Sequence, residues 1–204
     1  MELAKQEIKE KVIKASELPA KHEFKLPTIA ELFDDNIELA GRVEGLNAIL
    51  NTPPPEKWIK EHPVITGWKY LPIDKVEYLL RRCFKKNKIE VLREGTAFNG
   101  VFVVVRVHYL NPATGEMDWH DGIGAMQLQT KKGTSPADLS NINNGAISMA
   151  FPIAKTLAVK DATDHFGALF GANLNRKDVI PFQVDGSLME KAEIERYSKA
   201  LDHE

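Results

Sequence analysis

Several features that would announce a specific chemistry are missing from this chain. It holds one cysteine, Cys83, in 204 residues. A single thiol closes no internal disulfide and builds no zinc cluster, and it suits a reducing compartment. No stretch approaches the roughly eighteen consecutive apolar residues of a membrane helix. The start of the chain, Met1 to Lys11, alternates charges where a secretory signal would be apolar, so a soluble, cytoplasmic protein without membrane attachment is expected. Neither charge dominates: 27 Lys and Arg stand against 29 Asp and Glu, for a net charge of -2 and a pI near 6.3. Bulk electrostatics therefore do not mark a polyanion partner. The string Gly-x-x-x-x-Gly-Lys-Ser/Thr is missing, which disfavours ATP-driven chemistry, and so is the Gly-x-Ser-x-Gly of a nucleophile elbow.

What is present is enough for one ordinary core, with 43% hydrophobic and 27% charged residues. Residues 1–27 read as a charged N-terminal arm closed by Pro19 and Pro27, and residues 28–204 as a single domain. Apolar residues from Ile29 to Leu50 recur at helical spacing up to the breaker Asn51-Thr52-Pro53-Pro54-Pro55. Pro55 to Lys60 reads as one further helical turn and Gly67 to Leu71 as a short extended segment. After Pro72 the stripe Ile73, Val76, Leu79, Leu80, Cys83 and Phe84 predicts a helix over 73–86. Its opposite arc holds Lys75, Tyr78, Arg81, Arg82, Lys85 and Lys86.

From Lys88 the period changes to two. Val101, Val103, Val105, Val107 and Tyr109 alternate with Phe102, Val104, Arg106, His108 and Leu110, and flanking turn residues predict three antiparallel strands. Residues 126–145 form a long loop carrying Lys131 and Lys132. A long helix follows from Ile147 or Pro152 to Phe166, with Ala154, Ala158, Ala162 and Phe166 four apart for close packing on the sheet. Residues 187–201 predict a last amphipathic helix. The expected fold class is thus α+β: a three-stranded antiparallel β-meander followed by a long helix, a β-β-β-α core over about 67–175, with additional N- and C-terminal helices.

Charge is distributed unevenly. Residues 69–132 carry 11 basic and 7 acidic side chains, whereas residues 1–68 and 178–204 are both net acidic. Such a middle segment suits a polyanion. Asp118, His120 and Asp121 form the one string resembling a metal site, but in a strand Asp118 and His120 share a face that Asp121 does not. Arg106 and His108 also share a face, either as partners of those acids or as part of a groove. The parts for single-strand binding are present on the helix over 73–86, at Lys131 and Lys132, and on the long helix at Lys155 and Lys160.

Four strings in this order carry a family resemblance: Trp68-Lys69-Tyr70-Leu71 before a helix; Val103-Val104-Val105-Arg106-Val107; His120-Asp121-Gly122-Ile123-Gly124 ending the third strand; and Ala154 through Ala162 to Phe166-Gly167. Together they resemble the Rad fifty-two-type single-strand annealing proteins, including their bacteriophage recombinase relatives. The resemblance implies ring-shaped or helical homo-oligomers, ATP-independent annealing of complementary DNA strands in recombination or repair, and no cofactor or catalytic residue. It implies a bacterial host cell and, as possible partners, a nuclease or a single-strand-binding protein. In that family a basic pair on the long helix contacts the DNA backbone; the first position matches Lys160, the second is Asp161 here, and Lys155 stands nearby. Lys69 is the nearest match to the family's basic residue ahead of the first helix. The expected contacts with single-stranded DNA are Lys69, Arg81, Arg82, Lys85, Arg106, Lys131, Lys132, Lys155, Lys160 and Arg176. Two alternatives stand beside this reading: a small metal-dependent nuclease using Asp118, His120 and Asp121, and a ring-forming scaffold without a DNA function.

Overall fold

Strict alternation makes the central strand. In β4 (Gly100–Leu110) Val101, Val103, Val105, Val107 and Tyr109 are buried while the residues between them are half-exposed, as the two-residue period of a strand requires. It pairs antiparallel with β3 (Asn87–Ala97) and β5 (Met117–Gln127) in the order β3-β4-β5. A bulge between Val91 and Arg93 shifts the register of β3. A computed structural model describes residues 29–33, 36–63, 65–135, 137–188 and 190–193. The arm expected over 1–27 and the helix expected beyond residue 193 lie outside the described residues.

The buried face of this sheet is covered by α4 (Ala146–Asp164). Ala146, Ala150, Ala154, Ala158 and Ala162 form its buried stripe, and the strand opposite is equally bare. A Cβ built on Gly122 would land on the Ala158 carbonyl and the Ala162 amide, and one built on Gly124 on the Ala154 carbonyl and the Ala158 amide. Helix backbone and strand backbone thus touch directly, which only glycine permits at these two sites. Beyond this contact Phe84, Tyr109, Phe166 and Phe170 stack into one aromatic cluster. Phe84 lies 4.5 Å from Phe166 and 4.8 Å from Tyr109, centroid to centroid. Burying each such ring contributes about 1.5–3 kcal/mol.

The remaining elements correct the expected architecture. The anticipated architecture, a single meander followed by one long helix with terminal helices added, gives way to four helices up to Asp164 and two separate sheets, one of two strands and one of three, among the described residues. Two helices precede the sheets, α1 (Ile29–Leu32) and α2 (Ile37–Leu50). They are separated because the Asn36 side chain accepts from the Leu39 amide and starts a new helix there. The second sheet is a pair of two-residue strands, β1 (Lys60–Glu61) and β2 (Lys69–Tyr70), extended by the His62 amide donating to the Trp68 carbonyl at 2.7 Å. Strands this short have no period to read. The turn anticipated over 55–60 shrinks to a 3-10 turn at Glu56–Trp58, and Lys60 becomes sheet.

The helix anticipated over 73–86 is α3 (Ile73–Cys83), burying Val76, Leu79 and Leu80. It ends early because Phe84 turns extended into the aromatic cluster. The Asn87 amide then caps the freed carbonyl of Phe84 at 2.9 Å. Lys85 and Lys86 therefore leave the helix. Farther on, residues 186–188 and 190–193 are helical. They are tied to α2 by the fully buried Glu44, whose Oε1 accepts from the Asp185 amide at 2.7 Å. Among the described residues no helix is long and apolar enough to cross a membrane.

Candidate functional site

Between the β1–β2 hairpin, the middle and C-terminal part of α4 and the turn after Phe170 lies a cleft of about 580 Å³. Its walls are apolar: Trp68 and Leu71 from the hairpin side, Pro152, Ile153 and Leu157 from α4. Its polar groups converge from three segments: Lys69 from β2, Lys160 and Asp164 from α4, and Asn175 from the segment behind it. Asn175 fixes the hairpin in place. Its side chain accepts from the Lys69 amide at 2.8 Å and donates to the Lys69 carbonyl at 2.7 Å, so the edge of β2 is clasped although no third strand pairs with it. Lys69 itself remains exposed on the rim.

Lys160 is held over the ring of Tyr70, its Nζ 4.6 Å from the centroid. This attraction between cation and ring face orients an ammonium group that is half removed from water. Burial lowers its pKa below the ordinary lysine value, while Asp164 and Asp74 pull the other way. Asp164 is pushed up to about 6, first by loss of water around its carboxylate and then by Asp161, against Arg176, His165 and Lys160. Lys69 and Lys160 are the sequence-predicted residues that line the cleft, and Arg176 follows the lining Asn175 in the chain.

The other seven are dispersed. Arg81 and Arg82 are exposed on α3, and Arg81 faces Glu77 at 3.8 Å. Asp74 pairs with Lys75 at 2.8 Å, so the polar arc of that helix is mixed in charge. Lys85 sits beyond the helix end and Lys155 is exposed on α4 outside the cleft wall. Lys131 and Lys132 project from the loop after β5, which is closed by the bridge between Thr130 and Ile142.

Arg106 lies on the sheet face turned away from α4, where it donates to both carboxylate oxygens of Asp121 at 2.6 and 2.7 Å and stacks over Trp119. Arg106 is thus paired with one of the neighbouring acids, whereas His108 pairs with Glu90 at 2.8 Å. A bidentate pair of this geometry occupies the guanidinium fork. Arg106→Ala is therefore expected to change affinity for any single strand less than about twofold, consistent with the modest energies of exposed pairs; fluorescence anisotropy measures it.

The nuclease constellation is not assembled. Asp118 and His120 turn toward Tyr109, whose hydroxyl donates to Asp118 Oδ2 at 3.1 Å and lies 3.2 Å from His120 Nε2, while Asp121 is on the opposite face. Burial and the neighbouring His165 lower the His120 pKa, which favours its neutral form. Among the described residues no group of three or more His, Cys, Asp or Glu side chains is arranged to hold a metal ion. Asp161, at the position where the resembled family is basic, serves the fold instead, because its Oδ2 accepts from the Ile123 amide at 2.9 Å and binds α4 to β5.

Trp68, Tyr70, His62, Asp164 and Asn175 were not among the sequence-predicted site residues. The aromatic string around Lys69 was a legible signal, whereas the Asn175 clasp spans 106 residues and leaves no local trace.

The Asp164 shift has a pH consequence. Its pKa rises from 3.8 to about 6 on folding. Its contribution to stability is therefore complete below about pH 4 and fades as pH climbs through 6. An anion in the cleft follows the same direction, since protonation removes the negative charge beside Lys160. Affinity for an anionic ligand is expected to rise between about pH 7.5 and 5.5, and Asp164→Asn to flatten that rise; titrations at constant ionic strength test it. No protein-family model matches the chain, and no curated protein shows significant similarity to it.

Proposed function

We propose that this protein binds single-stranded DNA and anneals complementary strands without ATP, in recombination or repair, as Rad fifty-two-type proteins do. The observation that carries this reading is the cleft, where a half-buried, ring-stacked Lys160 meets Lys69 on the rim, with Arg176 nearby, between apolar and aromatic walls. Single strands are held by cations that follow the phosphates and by aromatic faces that accept bases regardless of sequence. Trp68, 49% exposed at the mouth, offers such a face. With the backbone gripped and base edges outward, pairing with a second strand supplies the energy, and the protein neutralises phosphate repulsion.

An array of copies follows from this mechanism, because a strand longer than one cleft needs a row of them. A homo-oligomer, ring or helical, fits the apolar side chains left at the surface: Met117, Trp119 and Ile123 on the outer sheet face, and Val179, Ile180 and Val184 in the irregular segment after the cleft. The proposed setting is the cytoplasm of a bacterial host cell, with no cofactor and with a nuclease or a single-strand-binding protein as further partners.

The test is a mixing experiment with complementary oligonucleotides at low salt and without nucleotide. Duplex formation several-fold faster than the spontaneous rate supports the reading. Unaccelerated pairing in about 50 mM salt, where phosphate contacts are strong, overturns it.

A further inference from the structure

The turn joining β3 and β4 carries a residue that the fold does not use. Ala97 pairs with Gly100, leaving Phe98-Asn99 as a two-residue turn. Phe98 has φ 52°, the only positive value at a non-glycine position among the described residues. A positive φ at the first turn position is where hairpins take glycine or asparagine, and a bulky side chain there is disfavoured by about 1–2 kcal/mol. Nothing in the packing offsets this, since Phe98 is 98% exposed. The turn would form better with glycine. An aromatic residue held in an unfavourable conformation and wholly in water is a mark of function rather than of folding.

A second observation indicates what this ring meets. The Leu128 amide donates to the Asn99 carbonyl at 2.7 Å, so the turn is bonded to the start of the loop that carries Lys131 and Lys132. That loop is closed by the Thr130–Ile142 bridge and by the Lys131 amide donating to the Asn141 carbonyl at 2.9 Å. Both lysines are exposed, and neither makes an ion pair among the described residues. This end of the sheet therefore joins an open aromatic face to two uncompensated cations, and none of the three lines the cleft.

We propose that Phe98 is a stacking platform for an unpaired base of the bound strand, with Lys131 and Lys132 receiving the phosphates beside it. This contact rests on the single-strand reading above and extends it, because it places a second hold on the strand away from Lys160. Stacking needs a π-face and no particular base, so the contact is indifferent to sequence.

The experiment uses the full chain and oligonucleotides bearing one 2-aminopurine, whose fluorescence is quenched by stacking. Phe98→Gly is expected to keep or raise the thermal midpoint, yet to lose affinity by about 5- to 150-fold and to abolish the quenching attributable to the ring. Phe98→Trp is expected to restore both. The salt slope stays unchanged in Phe98→Gly, whereas the double change Lys131→Gln and Lys132→Gln shallows it by roughly 0.7 per lost phosphate. If the unaltered protein retains no single strand, the underlying reading fails. If it binds and Phe98→Gly binds equally well, only the stacking contact is overturned. A parallel loss of binding and of oligomer size in Phe98→Gly, read by sedimentation without DNA, also overturns it, by assigning the ring to a contact between copies.

Discussion

Lys160→Gln is expected to weaken single-strand binding by about 10- to 100-fold, the range of one charge-assisted contact, and to shallow the salt slope by roughly 0.7. The effect should exceed that of any other lysine because this ammonium is already half-desolvated and oriented by Tyr70. A phosphate entering the cleft therefore meets a cation that gives up little water and little rotamer freedom. Lys155→Gln, on the same helix but exposed and outside the cleft wall, is the matched control and should lose far less. Anisotropy titrations at several salt concentrations, with thermal midpoints for each variant, separate a lost contact from a lost fold. Equal affinities for Lys160→Gln and the parent would remove the cleft from the binding surface.

The largest effect on stability is expected at the sheet–helix contact. Gly124→Ala should destabilise by about 3 kcal/mol, the upper range for overpacking, because its new methyl group meets the backbone of Ala154 and Ala158 rather than a side chain that could swing aside. In a chain of this size that corresponds to a fall of about 6–12 °C in Tm. Gly122→Ala meets the Ala158 carbonyl and the Ala162 amide and belongs to the same class. Gly186→Ala is the control, since nothing lies within 4 Å of the position its Cβ would take; its effect should stay within about 0.5 kcal/mol. Thermal unfolding followed by circular dichroism measures all three. A Gly124→Ala midpoint within about 2 °C of the parent would show that α4 does not rest on β5 as described. The same displacement would reach the cleft, because Ile153, Leu157 and Lys160 ride on the other side of that helix.

The sheet and its helix differ in how much of them a reader of the sequence can see. The valines of β4 alternate because neighbouring residues of a strand point to opposite faces, and the alanines of α4 recur every four residues because a helix turns that way. Both periods are local, so both elements are legible. The two-residue strands β1 and β2 have no period; β2 lies in the segment 67–71 that reads as extended, but its pairing with β1 and its clasp by Asn175 are non-local. The early stop of α3 is equally non-local, since Phe84 leaves the helix to join Tyr109 of β4 and Phe166 and Phe170 from the turns beyond α4.

The candidate site divides in the same way. Residue types made single cations visible, Lys69 between a tryptophan and a tyrosine and Lys160 on the long helix, although only Lys69 lies in the basic segment 69–132. Which cations would work together could not be read from spacing. Arg106 and Lys160 are equally basic on paper, yet one is locked to Asp121 and the other is poised over Tyr70 in a cleft.

By itself, then, the chain's order of side chains determined the long strand β4 and the long helix α4, and which of their faces avoid water, because those depend on neighbours a few residues away. Only the tertiary structure decided which charges are paired and which are open, and that two glycines bring α4 against β5. Charge pairing and close approach depend on distances through space between residues far apart in the chain, and no local pattern encodes them.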